Sequence, residues 1–333
     1  MLDFFETLNS LSQIPSPTGD ERALAAKIAE LARPFADEIK TDALGNLIIS
    51  KTGLGERVMI AAHMDTIGLV ATHYDDNGFI RFGALGGLDS SVLSGTEIIL
   101  SNVHGVISCD AKVEAKDRKL KHFYIDIGAA DADDARALAP LGTTAVFAGR
   151  PTKLGEHRIC APYLDNRVGV VILLMLISAL PESDYDMHFV FTVQEEVGMR
   201  GARTAAFAIE PKFALSLDVT DVGDTPESEF LMETKLGGGA AIKIMDSSVV
   251  CHPKITGALQ QLAAKIGIPF QNEIMTDGGT DAGAIHLSNS GVLTGGISIP
   301  TRYIHSPREV CDVRDVNAAV ALLQNAIEQK VFF

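Results

Sequence analysis

The sequence contains few cysteines, and they lie far apart. Cys109, Cys160, Cys251 and Cys311 include no C-x-x-C pair, which argues against a disulfide framework and against a thiolate zinc site. The N-terminus also lacks a basic segment followed by an apolar core, so no secretory signal is expected. These absences favour a reducing compartment, and the cytoplasm is the predicted location.

Basic side chains and long apolar runs are scarce as well. Lys and Arg together number 28 against 43 Asp and Glu, which gives a formal net charge of −15. Long-range attraction to nucleic acid or to an anionic membrane surface would therefore have the wrong sign. The longest apolar run, 168–180, is interrupted by Gly169 and Ser178 and is shorter than the ~20 residues that span a membrane. We expect neither nucleic-acid nor membrane partners.

The chain does have ample apolar material for a buried core. Hydrophobic residues make up 47% of its 333 residues and charged residues 21%, a composition that argues against disorder. At about 150 residues per domain, this length predicts roughly two domains.

Strand and helix patterns alternate along most of the chain. Short apolar runs typical of buried strands lie at 58–62, 187–193, 213–217 and 291–299. Helical patterns lie at 165–180, 253–266 and 315–329. This alternation predicts an α/β sheet with helices on both faces.

A β-rich segment interrupts that alternation. From about residue 67 to residue 150 the chain consists of short β-type runs separated by turns, and two of these runs flank a hairpin turn that ends in Asn77-Gly78. The strand–helix alternation resumes afterwards. We therefore predict a discontinuous main domain, 1–66 and 151–333, that carries a β-rich insertion at 67–150.

Side chains that bind metals follow the four predicted strands. The residues just beyond the strands are, in chain order, His63 with Asp65, Glu195 with Glu196, Asp218, and His305. Because ligands of open α/β sheets bind outside the carboxyl ends of the strands, we expect these groups to converge. Asp165 opens a long apolar helix and has the same character, a polar group at a buried end.

The donor set points to a hydrolytic metal centre. Imidazoles and carboxylates without cysteine suit Zn²⁺, Co²⁺ or Mn²⁺. One tetrahedral ion does not need five donors, whereas two ions that share a carboxylate would use them all and leave positions for water. Any one of these histidines taken singly is more often a structural residue. Their joint position after strands is what predicts a metal site.

Motifs around these residues occur in the same order in a known family. They are AAHMD (61–65), LDNRVG (164–169), QEEVG (194–198), DVT (218–220), GGTDA (278–282) and RYIHS (302–306). In these motifs the chain resembles the glutamyl/deblocking aminopeptidase family of dinuclear metallopeptidases, which includes the tetrahedral aminopeptidases. The resemblance implies an α/β fold in which a mixed sheet with helices on both faces forms the catalytic domain. The β-rich insertion at 67–150 would then be a dimerisation domain.

The resemblance also implies a ligand set for two divalent ions per subunit. His63 and Asp218 would hold one ion, Glu196 and His305 would hold the other, and Asp165 would bridge them. Zn²⁺ is the first choice, with Co²⁺ or Mn²⁺ as alternatives.

Two further carboxylates have implied catalytic roles. Glu195 matches the general base of the family, and Asp65 matches the carboxylate that orients the ring of His63. Adjacent strand residues point to opposite sides, so Glu195 and Glu196 can reach one site only if the chain turns directly after Gln194. The family also implies a non-proline cis peptide bond between Asp165 and Asn166.

The predicted function is removal of the N-terminal residue from peptides by a metal-dependent aminopeptidase. Two ions would activate water, with a glutamate as general base, and the subunits would form dimers that can assemble into dodecamers. A deacylase or other amidohydrolase could use the same centre. A glycosidase is a second alternative, but it would leave His63 and His305 without a role. A non-catalytic sensor or scaffold is a third, against which the complete ligand set argues.

Overall fold

The computed structural model describes residues 2–180, 183–228 and 232–331. The helices of this part of the chain are α1 (Phe4–Leu11), α2 (Arg22–Ala32), α3 (Ala132–Leu138), α4 (Leu164–Ala179), α5 (Arg200–Ile209), α6 (Pro253–Ile266), α7 (Ala282–Ile285) and α8 (Val313–Glu328). None of the described helices is both long enough and apolar enough to cross a membrane.

The strands form a large mixed sheet and a closed barrel. The sheet contains β1 (Glu38–Thr41), β2 (Leu47–Lys51), β3 (Arg57–His63), β10 (Thr152–Leu154), β11 (Arg158–Ala161), β12 (Asp186–Thr192), β13 (Phe213–Thr220), β14 (Ala240–Met245), β15 (Phe270–Ile274), β16 (Leu293–Arg302) and β17 (Glu309–Asp312). The barrel contains β4 (Gly68–Tyr74), β5 (Ile80–Leu85), β6 (Glu97–Leu100), β7 (Val103–Cys109), β8 (Phe123–Asp126) and β9 (Thr144–Phe147).

Parallel strands form the centre of the sheet. Its order is β1-β2-β12-β3-β13-β16-β17-β11-β10, with β14 beside β16 and β15 beside β14. The four neighbours β12, β3, β13 and β16 are parallel to one another. Their carboxyl ends therefore meet at one edge of the sheet, where open α/β sheets bind their ligands.

The residues of β3 explain why both faces of the sheet are covered. Side chains alternate between faces along a strand. Val58, Ile60 and Ala62 belong to the main core, which includes most of α4, whereas Met59 and Ala61 belong to a second core that includes residues of α5. The predicted fold class, an α/β mixed sheet with helices on both faces and a separate β-rich unit, is confirmed.

The structure differs from the sequence patterns in two places that bear on the site. Helix α5 was not predicted, because its apolar face is built mainly of alanine, such as Ala202, Ala205 and Ala206. Strand β13 continues to Thr220, so Asp218 lies inside the strand and not beyond it.

Candidate metal centre

A cavity of about 1040 Å³ lies where the parallel strands end. Its lining includes all five predicted ligands and Glu195, namely His63, Asp165, Glu195, Glu196, Asp218 and His305. The sheet positions part of this set directly, because His63 is the last residue of β3 and Asp218 lies near the end of the neighbouring β13. His63 and His305, which are 242 positions apart in the chain, thus share one cavity.

Asp165 lies between the two imidazoles. Its Oδ1 is 3.0 Å from Nε2 of His63, and its Oδ2 is 3.4 Å from Nε2 of His305. Each carboxylate oxygen therefore contacts a different histidine. The peptide bond between Asp165 and Asn166 is cis, as the family resemblance implied.

The remaining carboxylates divide between the histidines. Oδ1 of Asp218 lies 3.5 Å from Nε2 of His63, and Oε2 of Glu196 lies 3.2 Å from Nε2 of His305. The other oxygen of Glu196, Oε1, is buried without a hydrogen-bond partner. We call His63 with Asp218 the strand half of the site, and Glu196 with His305 the loop half.

The electrostatics of the site attract positive charge. Burial opposes protonation of His63, but Asp218 and Asp165 outweigh burial and raise the pKa of His63 well above its usual value. Burial likewise opposes protonation of His305, yet hydrogen bonds with Asp165 and Glu196 raise its pKa to about 11. Burial disfavours the charged form of Asp165, but the two imidazoles outweigh it and lower the pKa of this carboxyl.

The donor atoms are close enough to share a metal ion. One ligand atom from each of His63, Asp165 and Glu196 lies within 4.8 Å of the others. Nitrogen and carboxylate oxygen donors of this kind suit Zn²⁺ and similar divalent ions. The unpartnered, buried Oε1 of Glu196 fits such an ion, because a buried carboxylate oxygen without a partner is costly.

A turn brings both adjacent glutamates to the cavity. Strand β12 ends at Thr192, and Gln194 and Gly198 have φ values of 55° and 119°. The chain therefore turns where the sequence required it to, and both Glu195 and Glu196 line the cavity. Burial raises the pKa of Glu195 well above its usual value.

Asp65 lies beneath this turn and holds its backbone. The Asp65 carboxylate accepts hydrogen bonds from the backbone N–H groups of Glu195 at 2.9 Å and of Glu196 at 3.2 Å, and from the Thr18 hydroxyl at 2.7 Å. The Nδ1 atom of His63 lies 3.1 Å from the Asp65 backbone carbonyl and 3.6 Å from its carboxylate. The shorter side-chain contacts of Asp65 are therefore with the glutamate turn and not with the imidazole.

The barrel also reaches the site, which the sequence did not indicate. A Cβ atom added to Gly86 would lie 3.2 Å from Oε2 of Glu196, and one added to Gly87 would lie 2.9 Å from Nδ1 of His305. We call Gly86 with Gly87 the glycine turn. In the sequence these two residues indicate only a turn, and no local signal shows what the turn packs against.

Further acidic side chains line the cavity. These are Asp221, Glu233 and Asp277, and the described lining contains neither Lys nor Arg. Arg302, which lies in one of the family motifs, instead forms two hydrogen bonds of 2.8 Å with Asp224. Apart from the histidines, the described lining of the cavity therefore has no cationic side chain to balance its carboxylates.

The comparison with known families decides where the chain belongs. The family described as M42 glutamyl aminopeptidase matches residues 45–322. The chain belongs to this family. M42 aminopeptidases are metallopeptidases, so membership makes the chain a hydrolase of the aminopeptidase class, and the group of His63, Asp165 and Glu196 is a possible metal-binding group.

Individual M42 relatives match along almost the whole chain. A lysyl aminopeptidase of Pyrococcus furiosus is 34% identical over 99% of this chain and 98% of its own. The structure of the aminopeptidase APDkam598 from the archaeon Desulfurococcus kamchatkensis has a TM-score of 0.94 at 36% identity and covers 99% of this chain and 96% of that one. The Pyrococcus horikoshii TET1 peptidase, which can assemble into a tetrahedron or a large octahedral shell, has a TM-score of 0.88 at 32% identity, with coverage of 98% and 99%.

Proposed function

We propose that this chain is a two-metal aminopeptidase that removes the N-terminal residue from peptides, with Glu195 as the general base. The observation that supports this most strongly is the position of Asp165, which directs one oxygen to His63 and the other to His305. A carboxylate in this position is suited to bridge two ions. The strand half would then hold one ion and the loop half the other.

The donor chemistry favours Zn²⁺, with Co²⁺ and Mn²⁺ as alternatives. Bound divalent ions would supply Lewis-acid activation of water and of the peptide carbonyl. The carboxylates of the site would neutralise the ions and space them, and the raised pKa values of His63 and His305 reflect the same demand for positive charge.

Proton transfer is the task of Glu195 in this proposal. Its side chain lines the cavity, and its backbone N–H is fixed by the Asp65 carboxylate at 2.9 Å. From this position the Glu195 carboxylate would accept a proton from the attacking water and deliver it to the amine that leaves. Asp65 would serve this step by holding the glutamate turn in place.

Separating the adjacent glutamates tests the proposal. Glu195→Gln should lower kcat by about 10²–10⁴-fold, which is the usual cost of losing a general base, while metal content stays that of the wild type. Glu196→Gln should instead lose metal. The measurements are kcat with aminoacyl p-nitroanilides at saturating metal, and metal analysis of the purified variants. Near wild-type kcat in Glu195→Gln would contradict the assignment, as would loss of metal from Glu195→Gln but not from Glu196→Gln.

A deacylase would use the same centre, and the substrate's free amine distinguishes the two activities. An aminopeptidase should cleave a free peptide and leave its N-acetylated form intact, whereas a deacylase should show the reverse. A glycosidase is disfavoured because the contacts of His63 and His305 with Asp165 would then serve no reaction. A glycosidase activity should also persist in the presence of a chelator, whereas the aminopeptidase activity should be lost.

We also propose that the subunits form homo-oligomers, in which the insertion at 67–150 joins dimers and the residues 1–66 and 151–333 form the catalytic domain. The assemblies formed by the Pyrococcus horikoshii TET1 peptidase support this proposal. Replacing the insertion with a short Gly/Ser linker should give a smaller species by light scattering, and an unchanged assembly would refute the role of the insertion in dimerisation.

The four cysteines are unpaired, which supports the proposed cytoplasmic location.

A further inference from the structure

Glu309 connects two segments that carry proposed ligands. It is the first residue of β17, and its side chain is buried. Its Oε2 accepts the backbone N–H of Asp165 at 2.8 Å, and its Oε1 accepts the backbone N–H of His305 at 3.0 Å. One carboxylate thus joins the backbone of the proposed bridging ligand to that of a ligand in the loop half.

The backbone is irregular in both segments: Asp165 lies near the start of α4 but has non-helical φ and ψ values of −78° and 106°, and His305 follows the end of β16. Tyr163, just before Asp165, has a φ of 60°, and Tyr303 and His305 have φ values of 61° and 62°. Left-handed backbone at residues other than glycine is unfavourable and persists where the surroundings fix it. The two hydrogen bonds of Glu309 fix the backbone at Asp165 and at His305 in this way.

A carboxylate that accepts two backbone N–H groups also occurs elsewhere in the site. Asp65 accepts the backbone N–H groups of Glu195 and Glu196, and Glu309 accepts those of Asp165 and His305. We infer that Glu309 is a positioning residue that sets the distance between Asp165 and His305 and thereby the metal affinity of the loop half. This inference rests on the proposed two-metal function.

Two substitutions separate position from charge. Glu309→Gln keeps the size of the side chain, but its amide nitrogen cannot accept a hydrogen bond, so one backbone N–H loses its acceptor. Glu309→Asp keeps the charge but is one methylene shorter, so the carboxylate cannot reach both N–H groups in the same geometry. If Glu309 acts by position, both variants should bind metal more weakly; if it acts only through charge, Glu309→Asp should behave like the wild type.

Asp315 offers a matched control. It is a buried carboxylate that accepts two backbone N–H groups, those of Gly237 at 2.8 Å and Gly239 at 2.7 Å. These bonds hold a segment without any proposed ligand. Asp315→Asn therefore removes the same kind of interaction from the same kind of environment, and it should lower the unfolding temperature of the metal-free protein without changing metal affinity.

The experiment is titration of the metal-free, full-length protein and its variants with Zn²⁺ against a competing chelator, together with the absorption spectrum of the Co²⁺ form. We expect both Glu309 variants to lose about 10–100-fold in affinity for one of two ions, the usual cost of disturbing a group that orients a ligand. The Co²⁺ spectrum should shift, and Asp315→Asn should match the wild type.

Other outcomes would contradict either the positioning role of Glu309 or the proposed function. Wild-type affinity in Glu309→Gln and in Glu309→Asp, or an equal loss in Asp315→Asn, would overturn the positioning role. A loss in Glu309→Gln alone would show a charge effect instead. A wild-type protein that binds fewer than two ions would contradict the proposed function itself, whatever the variants do. If Glu309→Gln does not fold, Glu309→Asp against Asp315→Asn decides the question.

Discussion

The two halves of the proposed metal centre are supported in different ways. In the strand half, His63 and Asp218 belong to the neighbouring parallel strands β3 and β13, and their side chains are only 2% and 7% exposed. In the loop half, Glu196 and His305 follow strand ends; the Glu196 side chain is 4% exposed, whereas that of His305 is 35% exposed. The ladder hydrogen bonds of the sheet fix the first pair, whereas the second pair needs support from other parts of the chain.

That support comes from three separate segments. Asp65 binds the backbone of Glu196, Glu309 binds the backbone of His305, and the glycine turn of the barrel packs against both ligands. The strand half therefore follows from the sheet itself. The loop half depends on tertiary contacts, one of which is made by the insertion, and it should be the half that distant changes disturb first.

The largest effect is expected where the two halves meet. In the proposed centre, Asp165→Asn would remove the charge that keeps two repelling ions apart and would replace one proposed bridging oxygen with an amide nitrogen. Both ions should be lost, whereas His305→Ala should lose only the ion of the loop half. Metal analysis after gel filtration measures this difference. Two ions retained by Asp165→Asn would contradict the bridging role.

A smaller effect is expected at the contact between the barrel and the loop half. A methyl group on Gly87 would lie 2.9 Å from Nδ1 of His305, so the ring must move. Gly87→Ala should weaken the binding of one ion by about 10-fold and leave the other unchanged, as measured by Zn²⁺ titration. The control is Gly257→Ala in α6, where the added methyl would lie within 4 Å of nothing beyond the adjacent residues and the backbone of its own helix. This control should bind metal normally and be as stable as the wild type or more so. Equal metal affinity in both variants would show that the barrel does not support the site.

The smallest effect concerns the substrate side chain. The cavity presents Asp221, Glu233 and Asp277 without Lys or Arg in its described lining, so an acidic N-terminal residue should be repelled and a basic one attracted. We expect kcat/KM to be about 10-fold higher for a lysyl than for a glutamyl p-nitroanilide, which corresponds to about 1.4 kcal/mol. The ratio should fall as salt is added, with a leucyl substrate as the neutral reference. Equal values for the lysyl and glutamyl substrates at low salt would refute this expectation.

One rule predicts the ligands of both halves from the sequence, but the sequence predicts the support of the strand half better than that of the loop half, for a physical reason. Buried strands leave an apolar run, and a polar residue at the end of such a run stands out, which is why the sequence predicts His63 as a ligand. The same rule predicts Asp218, although Asp218 lies inside its strand. The alternation of strands and helices likewise predicts the fold class, because buried strands and helices differ in the spacing of their apolar residues along the sequence.

The contacts that support the loop half leave no such signal. Glu309 lies 144 positions from Asp165 and binds its backbone, and a bond to a backbone N–H places no demand on the type of the partner residue. The glycine turn is visible in the sequence as a turn. Its contact with His305 depends on how the barrel packs against the sheet, which no local pattern encodes.

Anomalous X-ray diffraction from crystals grown with Zn²⁺ tests the central claim most directly, because it locates each ion. We expect two peaks per chain, one in contact with His63 and Asp218 and the other with Glu196 and His305, with the Asp165 carboxylate between them. A single peak, or two peaks of which only one contacts Asp165, would contradict it.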